Sequence, residues 1–485
     1  MQKHKVDGDL KKINKFSDGV IGNNKAYTNI GIAFVFMVAV FLYTYVVQGG
    51  APVNMYIVVA AVIGAYMAMN IGANDVANNI GPAVGSKALT MLGALLIAAI
   101  FEAAGALIAG GDVVSTIRKG IIDPSTITDA NTFIWVMMSA LLSAALWLNL
   151  ATWLGAPVST THSVVGGIVG AGITAAGTSS VNWPGLFAIM GSWVVSPMMG
   201  GIIAAGFLFF IHRNILYVED RIAASNKWVP VLVGIMAAAF SMYLGIKGLS
   251  KIIKLDLIAI IALGVVSGVI FWFITKPYVF KASQKLGNSK QAVAKLFTIP
   301  LICSAALLSF AHGANDVANA VGPLAAIVSV ASENSISSGK ISLPLWVMII
   351  GAVGISIGLM LFGPKLIKTV GSQITKLNQA RAFCVALSAA ITVIAASWLG
   401  QPVSSTHIAV GGVFGVGFLR EYLNHKTKED RLKRRFPEDP ANIPALVKRR
   451  LVRRQALLTI IAAWVITVPA SGLLSALVFT IFNGL

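Results

Sequence analysis

Two polar motifs each occur twice in this chain, and every copy lies inside an apolar run. Gly72-Ala73-Asn74-Asp75-Val76-Ala77-Asn78-Asn79-Ile80-Gly81-Pro82 returns 241 residues later as Gly313-Ala314-Asn315-Asp316-Val317-Ala318-Asn319-Ala320-Val321-Gly322-Pro323. Gly155-Ala156-Pro157-Val158-Ser159-Thr160-Thr161-His162 returns 245 residues later as Gly400-Gln401-Pro402-Val403-Ser404-Ser405-Thr406-His407. A carboxylate and several carboxamides at membrane depth are costly, so they need a function or a strong structural reason. Polar interruptions at matching positions of two halves point to the binding site of a transporter built from repeats.

The membrane reading rests on apolar runs of about twenty residues, the length that spans a bilayer core. It agrees with a chain that is 56% hydrophobic and only 11% charged. The first run, Ile30 to Val47, is long enough to stay as a span rather than be cleaved as a leader. Cys303 and Cys384 are too few for a disulfide framework, and both are expected to pack as small hydrophobes. A net charge of +19 raises the question of nucleic acid. The distribution answers it: 30 of the 37 Lys and Arg fall in segments 1–28, 212–227, 276–295, 364–381 and 419–455. Basic residues gather in cytoplasmic loops, where they set orientation and meet anionic lipid.

Placing those five segments inside fixes the topology. Ile30–Val47 leaves the cytoplasm, and a unit from about Met55 to Ile211 starts outside and ends inside. Two helices near Trp228–Ile246 and Leu255–Ile274 follow, and a second unit from about Leu296 to Phe482 starts inside and ends outside. The expected fold is an all-α polytopic membrane protein with two inverted-topology repeats, broken helices or re-entrant hairpins, and about 12–13 membrane segments. Its parts are a basic cytoplasmic segment 1–28, an extra helix and loop 29–54, a first repeat 55–211, a connection with two helices 212–295, and a second repeat 296–485 that includes basic loop 419–455. Loop 111–131 has no basic excess, whereas its counterpart 364–381 has four basic residues and no acid. Residues 247–254 carry three lysines on a loop that this scheme places outside.

In a helix, Asn74, Asp75 and Asn78 share one face. Their hard oxygens suit a small cation such as sodium. Gly72 and Gly81-Pro82 favour a break that frees backbone carbonyls as further ligands. The alternative is that Asp and Asn merely cap a broken helix. Pro157 and Pro402 each precede hydroxyl residues, as at a helix start. A helix amino terminus offers free N–H donors and partial positive charge, so it binds anions without Arg or Lys. Six hydroxyls from two opposed half-helices suit a tetrahedral oxyanion, and ordinary capping is the alternative. His162 and His407 can donate to the anion, relay a proton or bond a backbone carbonyl. Glu102 stands alone in an apolar run. Aligning Gly105 with Gly354 puts Gly351 opposite it, so it is not duplicated; it either holds a cation or is a protonated or Arg-paired structural group.

These residues resemble the inorganic phosphate transporter (PiT) family of secondary symporters, from about Met55 to Phe482. The duplicated Gly-Ala-Asn-Asp-Val-Ala-Asn carries the resemblance. Phe101-Glu102 and Ser115-Thr116-Ile117-Arg118-Lys119-Gly120-Ile121-Ile122-Asp123 look like the branch that uses sodium. Proton-coupled bacterial members tend to carry a His-Asp-Thr-Ala-Asn variant. The resemblance implies phosphate uptake with sodium by alternating access, with no cofactor beyond sodium as coupling ion. By carry-over, Asn74, Asp75, Asn78, Asn315, Asp316 and Asn319 form the cation sites, and Asp75, Asn78, Asp316 and Asn319 also touch the anion. Ser159, Thr160, Thr161, Ser404, Ser405 and Thr406 line the phosphate site, and Glu102, His162 and His407 are auxiliary. A proton-coupled phosphate or sulfate permease of the same fold is the alternative. An intramembrane hydrolase is the different-class reading; Ser163 and His162 are chain neighbours and no Gly-x-Ser-x-Gly elbow appears. The implied setting is a multi-pass protein of the plasma (inner) membrane, in contact with lipid and open to homo-oligomerisation, with no nucleic-acid partner.

Overall fold

The computed structural model describes residues 26–47, 54–127, 129–249, 253–333, 343–373, 377–435, 452 and 454–484. Most of basic segment 1–28 and the middle of loop 419–455 lie outside the described residues. In chain order the helices are α1 (Ala26–Val47), α2 (Met55–Gly85), α3 (Met91–Ala109), α4 (Gly111–Lys119), α5 (Ala130–Leu154), α6 (Thr160–Ala176), α7 (Trp183–Ile211), α8 (Arg221–Lys247), α9 (Leu257–Ser283), α10 (Lys290–Lys295), α11 (Thr298–Asp316), α12 (Ala318–Glu333), α13 (Leu345–Gln373), α14 (Gln379–Trp398), α15 (Ser405–Arg435) and α16 (Arg454–Asn483). Among the described residues, eleven helical stretches are long and apolar enough to cross a membrane, with α10–α12 counted as one. At 17 residues α6 is too short to count, and α15 is not among the eleven. Against the about 12–13 membrane segments expected from sequence, eleven stretches are long and apolar enough to span, and α6 and α15 are further helices.

Local chemistry sets the ends. Asn54, Asp129, Ser159, Asp256 and Asn378 each accept a backbone N–H in the first turn of the helix that follows. Such caps satisfy donors that would otherwise be orphaned. At Asp129, hydrogen bonds from the Thr132 hydroxyl and N–H also hold the carboxyl below the usual carboxylate range. Gly155 ends α5 with φ 75°, and Gly400 takes φ 68° after α14. Both adopt the left-handed conformation that glycine enters at no steric cost, and each starts the return strand of a helical hairpin, α5–α6 or α14–α15.

The two halves interlock. α2 packs on α13 and α11 on α3, while α6 packs on α16 and α15 on α7. Glycines make the approach close. A Cβ at Gly72 would strike the Ile355 carbonyl of α13, and one at Gly313 the Glu102 carbonyl of α3. Likewise Gly166 and Gly170 meet Val468 and Gly472, and Gly411 and Gly415 meet Pro197 and Gly201. In a bilayer, where apolar burial does not drive helices together, such backbone proximity supplies the dispersion contacts.

Two sequence expectations change. α2 runs unbroken through Gly72 and past Pro82 to Gly85, so the first copy has no helix break, and only Pro82, which lacks an N–H, leaves the Asn78 carbonyl without its helical donor. The second copy does break, at Val317 between α11 and α12. Gly72 is a packing contact rather than a hinge, and the α13 backbone against it supports the straight helix. Cys303 is exposed, unlike buried Cys384.

Candidate anion and cation site

The polar motifs converge on one buried cluster at which side chains cross between halves. Thr406, on hairpin α14–α15, donates to Asp75 Oδ1 at 2.8 Å and accepts from Asn78 Nδ2 at 2.8 Å. In the opposite sense, Asn319 Nδ2 donates to Thr160 Oγ1 and Thr161 Oγ1, each at 3.2 Å. Asn78 and Asn319 are equivalent in the duplication, as are Thr161 and Thr406. Each half therefore supplies the hydroxyls that its opposite's carboxamide binds. Ser405 donates to Asp316 Oδ2 at 3.1 Å within its own half. These side chains are all 1% exposed or less.

Asn74 and Asn315 face the other way, onto the hairpin of their own half. Asn74 donates to Thr152 Oγ1 at 3.0 Å and the Ala156 carbonyl at 3.3 Å, and accepts from the Val158 N–H at 3.2 Å. Asn315 repeats the pattern with Ser397 Oγ at 3.0 Å and the Gln401 carbonyl at 3.2 Å. Ser159 and Ser404 accept the N–H groups of His162 and His407, so their oxygens cap α6 and α15.

Among the described residues, five oxygens of the Asn-Asp motifs are buried without a hydrogen-bond partner: Asn78 Oδ1, Asn79 Oδ1, Asn315 Oδ1, Asp316 Oδ1 and Asn319 Oδ1. Leaving a buried acceptor unsatisfied costs about 1–3 kcal/mol, and oxygens of this kind suit a hard cation. Asp75, His312 and Asp316 also place ligand atoms within 4.8 Å of one another. The residues just named include no Arg or Lys.

His162 and His407 meet edge to face, with ring centroids 4.5 Å apart. His162 packs on Trp193 at 3.8 Å and His407 on Trp464 at 3.6 Å. Among the described residues, Glu102 pairs with no Arg. It accepts from Asn79 Nδ2 at 2.9 Å and lies 3.2 Å from His312 Nδ1. His312 Nε2 in turn lies 3.0 Å from Asp316 Oδ2 and 3.9 Å from Asp75 Oδ2.

A family model described as the phosphate transporter family matches residues 71–475. The chain belongs to the phosphate transporter family. A Helicobacter pylori (strain J99) protein named "Putative phosphate permease" is 46% identical, over 97% of this chain and 98% of its own. A Pyrococcus abyssi protein likewise named as such a permease is 38% identical, over 88% of this chain and 98% of its own. A solved structure titled "The sodium-dependent phosphate transporter" superposes with a TM-score of 0.79 at 34% identity, covering 89% of this chain and all of that one. This member of the phosphate transporter family is thus a multi-pass integral membrane transporter and not an enzyme.

Sequence reasoning passed over His312 and Asn79 as members of the cluster. Both were visible as polar residues in apolar runs, and His312 stands four residues before Asp316 on the same helical face. Asp123, within the segment resembling the sodium-using branch, is exposed. It caps a single turn, and Ser125 holds its carboxyl below the usual carboxylate range.

Proposed function

We propose that this phosphate transporter imports inorganic phosphate together with sodium ions, by alternating access around the buried cluster. The crossing of hydroxyls between halves is the observation that carries the reading. Its hydrogen bonds join two hairpin starts to two Asn-Asp motifs in one buried cluster. Halves 55–211 and 296–485 act as inverted-topology units, supported by the opposite charge of loops 111–131 and 364–381. Thr160, Thr161, Ser405 and Thr406 bind phosphate with the amino-terminal N–H groups of α6 and α15, while Ser159 and Ser404 hold those turns in place. Asp75, Asn78, Asp316 and Asn319 serve both ions. Asn315 offers its free oxygen to sodium, whereas Asn74 acts chiefly by fixing its hairpin.

Phosphate at neutral pH still carries a proton, which Asp75 or Asp316 can accept as a hydrogen bond. Sulfate carries none and would face an unpaired carboxylate. A buried mismatch of about 1–3 kcal/mol corresponds to roughly a five- to hundred-fold loss of affinity. His312, set between Asp316 and Glu102, favours a second reading in which protons replace sodium.

Uptake of labelled phosphate into proteoliposomes separates the two. An inward sodium gradient drives uptake on the first reading, equimolar sulfate fails to displace the label, and arsenate displaces it. Uptake driven by a proton gradient and indifferent to sodium would move the assignment to the second. Displacement by equimolar sulfate would refute the recognition chemistry.

A further inference from the structure

Each hairpin is held at its tip by a residue that the transport reading does not use. Lys365, on α13 in the second half, donates to the Trp153 carbonyl at 2.7 Å. That carbonyl belongs to the last turn of α5, next to the left-handed Gly155. Thr116, on α4 in the first half, donates to the Gly400 carbonyl at 2.7 Å. Lys247 of α8 reaches the neighbouring Trp398 carbonyl at 3.5 Å. The offset of 249 that aligns Gly105 with Gly354 also aligns Thr116 with Lys365. Trp153 and Trp398 are themselves equivalent. Both tips are thus tied across the halves, by a donor at the same position of the duplication, to the free carbonyls at a helix end.

The ties lie at opposite ends of the molecule. α5 runs from loop 111–131 towards its tip, and Lys365 opens the basic segment 364–381. α14 runs from that segment towards its own tip, which meets Thr116 within segment 111–131 and Lys247 at the start of loop 247–254. On the charge topology the first tip faces the cytoplasm and the second faces outside. Between them the cluster is sealed, with Asp75 and Asp316 at 1% and 0% exposure.

We propose that Lys365 is the latch of a cytoplasmic gate formed by tip 155–158 and Thr116 the latch of an external gate formed by tip 400–403. Both are closed in this structure. Lys247 supports the external one, which accounts for a lysine on a loop assigned to the outside. The inference rests on the alternating-access reading. A tip released from the opposite half stays joined to its own half by Asn74 or Asn315, so opening exposes the cluster without dismantling it.

Reporter thiols test this. Val158→Cys and Val403→Cys sit at equivalent positions, 3% and 1% exposed, and each is made with Cys303 and Cys384 replaced by alanine. Vesicles of both orientations are treated with a membrane-impermeant methanethiosulfonate. Lys365→Met should speed modification of the Val158→Cys thiol from the cytoplasmic face by on the order of tenfold, since losing one charge-assisted hydrogen bond shifts a two-state balance about that far. The Val403→Cys thiol should be unaffected. Thr116→Val should do the converse from the outer face. Lys365→Arg and Thr116→Ser, which keep a donor, should restore the slow rate. Unchanged rates overturn the latches. So does acceleration of both thiols by either variant, which marks general loosening. Acceleration from the opposite face overturns the assignment of gates to faces. Phosphate uptake is measured separately, so latches that respond as expected in vesicles without uptake would stand while the transport reading fell.

Discussion

At the scale of single residues, Asp75 and Asp316 are equivalent in the duplication but not in their surroundings. Asp316 has an imidazole nitrogen at 3.0 Å, whereas Asp75 is 3.9 Å from the same atom. Asp75 therefore shares less of its charge with the imidazole and keeps more for a bound cation, even though Thr406 bonds its Oδ1 while Asp316 Oδ1 has no hydrogen-bond partner among the described residues. Asp75→Asn should raise the sodium concentration for half-maximal phosphate uptake more than Asp316→Asn does, with both variants at wild-type surface amounts. Equal sodium activation in the two variants and the wild type would remove the carboxylates from the cation site. His312 and Glu102 have no counterparts: Ile71 and Gly351 stand at the matching positions. Two halves with the same motifs thus enclose a chemically lopsided centre.

At the scale of helices, glycine does two different jobs. Gly72 lets α2 lie against the α13 backbone, and an added Cβ would meet the Ile355 carbonyl. Gly155 meets nothing within 4 Å and is needed only for its φ of 75°. Gly155→Ala should cost roughly 1–2 kcal/mol, the strain of a left-handed L-residue. Gly72→Ala forces helices apart; overpacking of this kind costs typically about 1–3 kcal/mol, and more where the obstacle is backbone. Thermal unfolding in detergent should rank Gly72→Ala as the less stable of the two. The reverse order would mean that the α2–α13 seam yields easily.

For the whole molecule, the interlocked packing ties each half to its opposite as well as to itself. α2 on α13 mirrors α11 on α3, and α6 on α16 mirrors α15 on α7. Inverted topology makes a direct claim about loops 111–131 and 364–381. Cysteines introduced at Ser125 and Ser372 should react with an impermeant reagent from the outside and from the cytoplasm respectively. Reaction of both from one face would place the halves in parallel and undo the gate assignment with them.

Much of this protein is legible in its chain because the signals are local. Twenty-residue apolar runs report membrane spans, and basic loops report orientation. Pro157 followed by Ser159, and Pro402 followed by Ser404, mark the starts of the two hairpin helices, whose caps form as expected. The duplication itself pointed to polar residues that the two halves bring together. Only the tertiary structure decided which partners meet. Nothing near Thr406 in sequence says that it serves Asp75, 331 residues away, and not Asp316. Nor does local sequence join Glu102 to His312, or tell the hinge in the second motif from the straight helix in the first. Those outcomes follow from how glycine-lined helices of opposite halves pack together. That contact is made between surfaces far apart in the chain, where periodicity and composition carry no information about register.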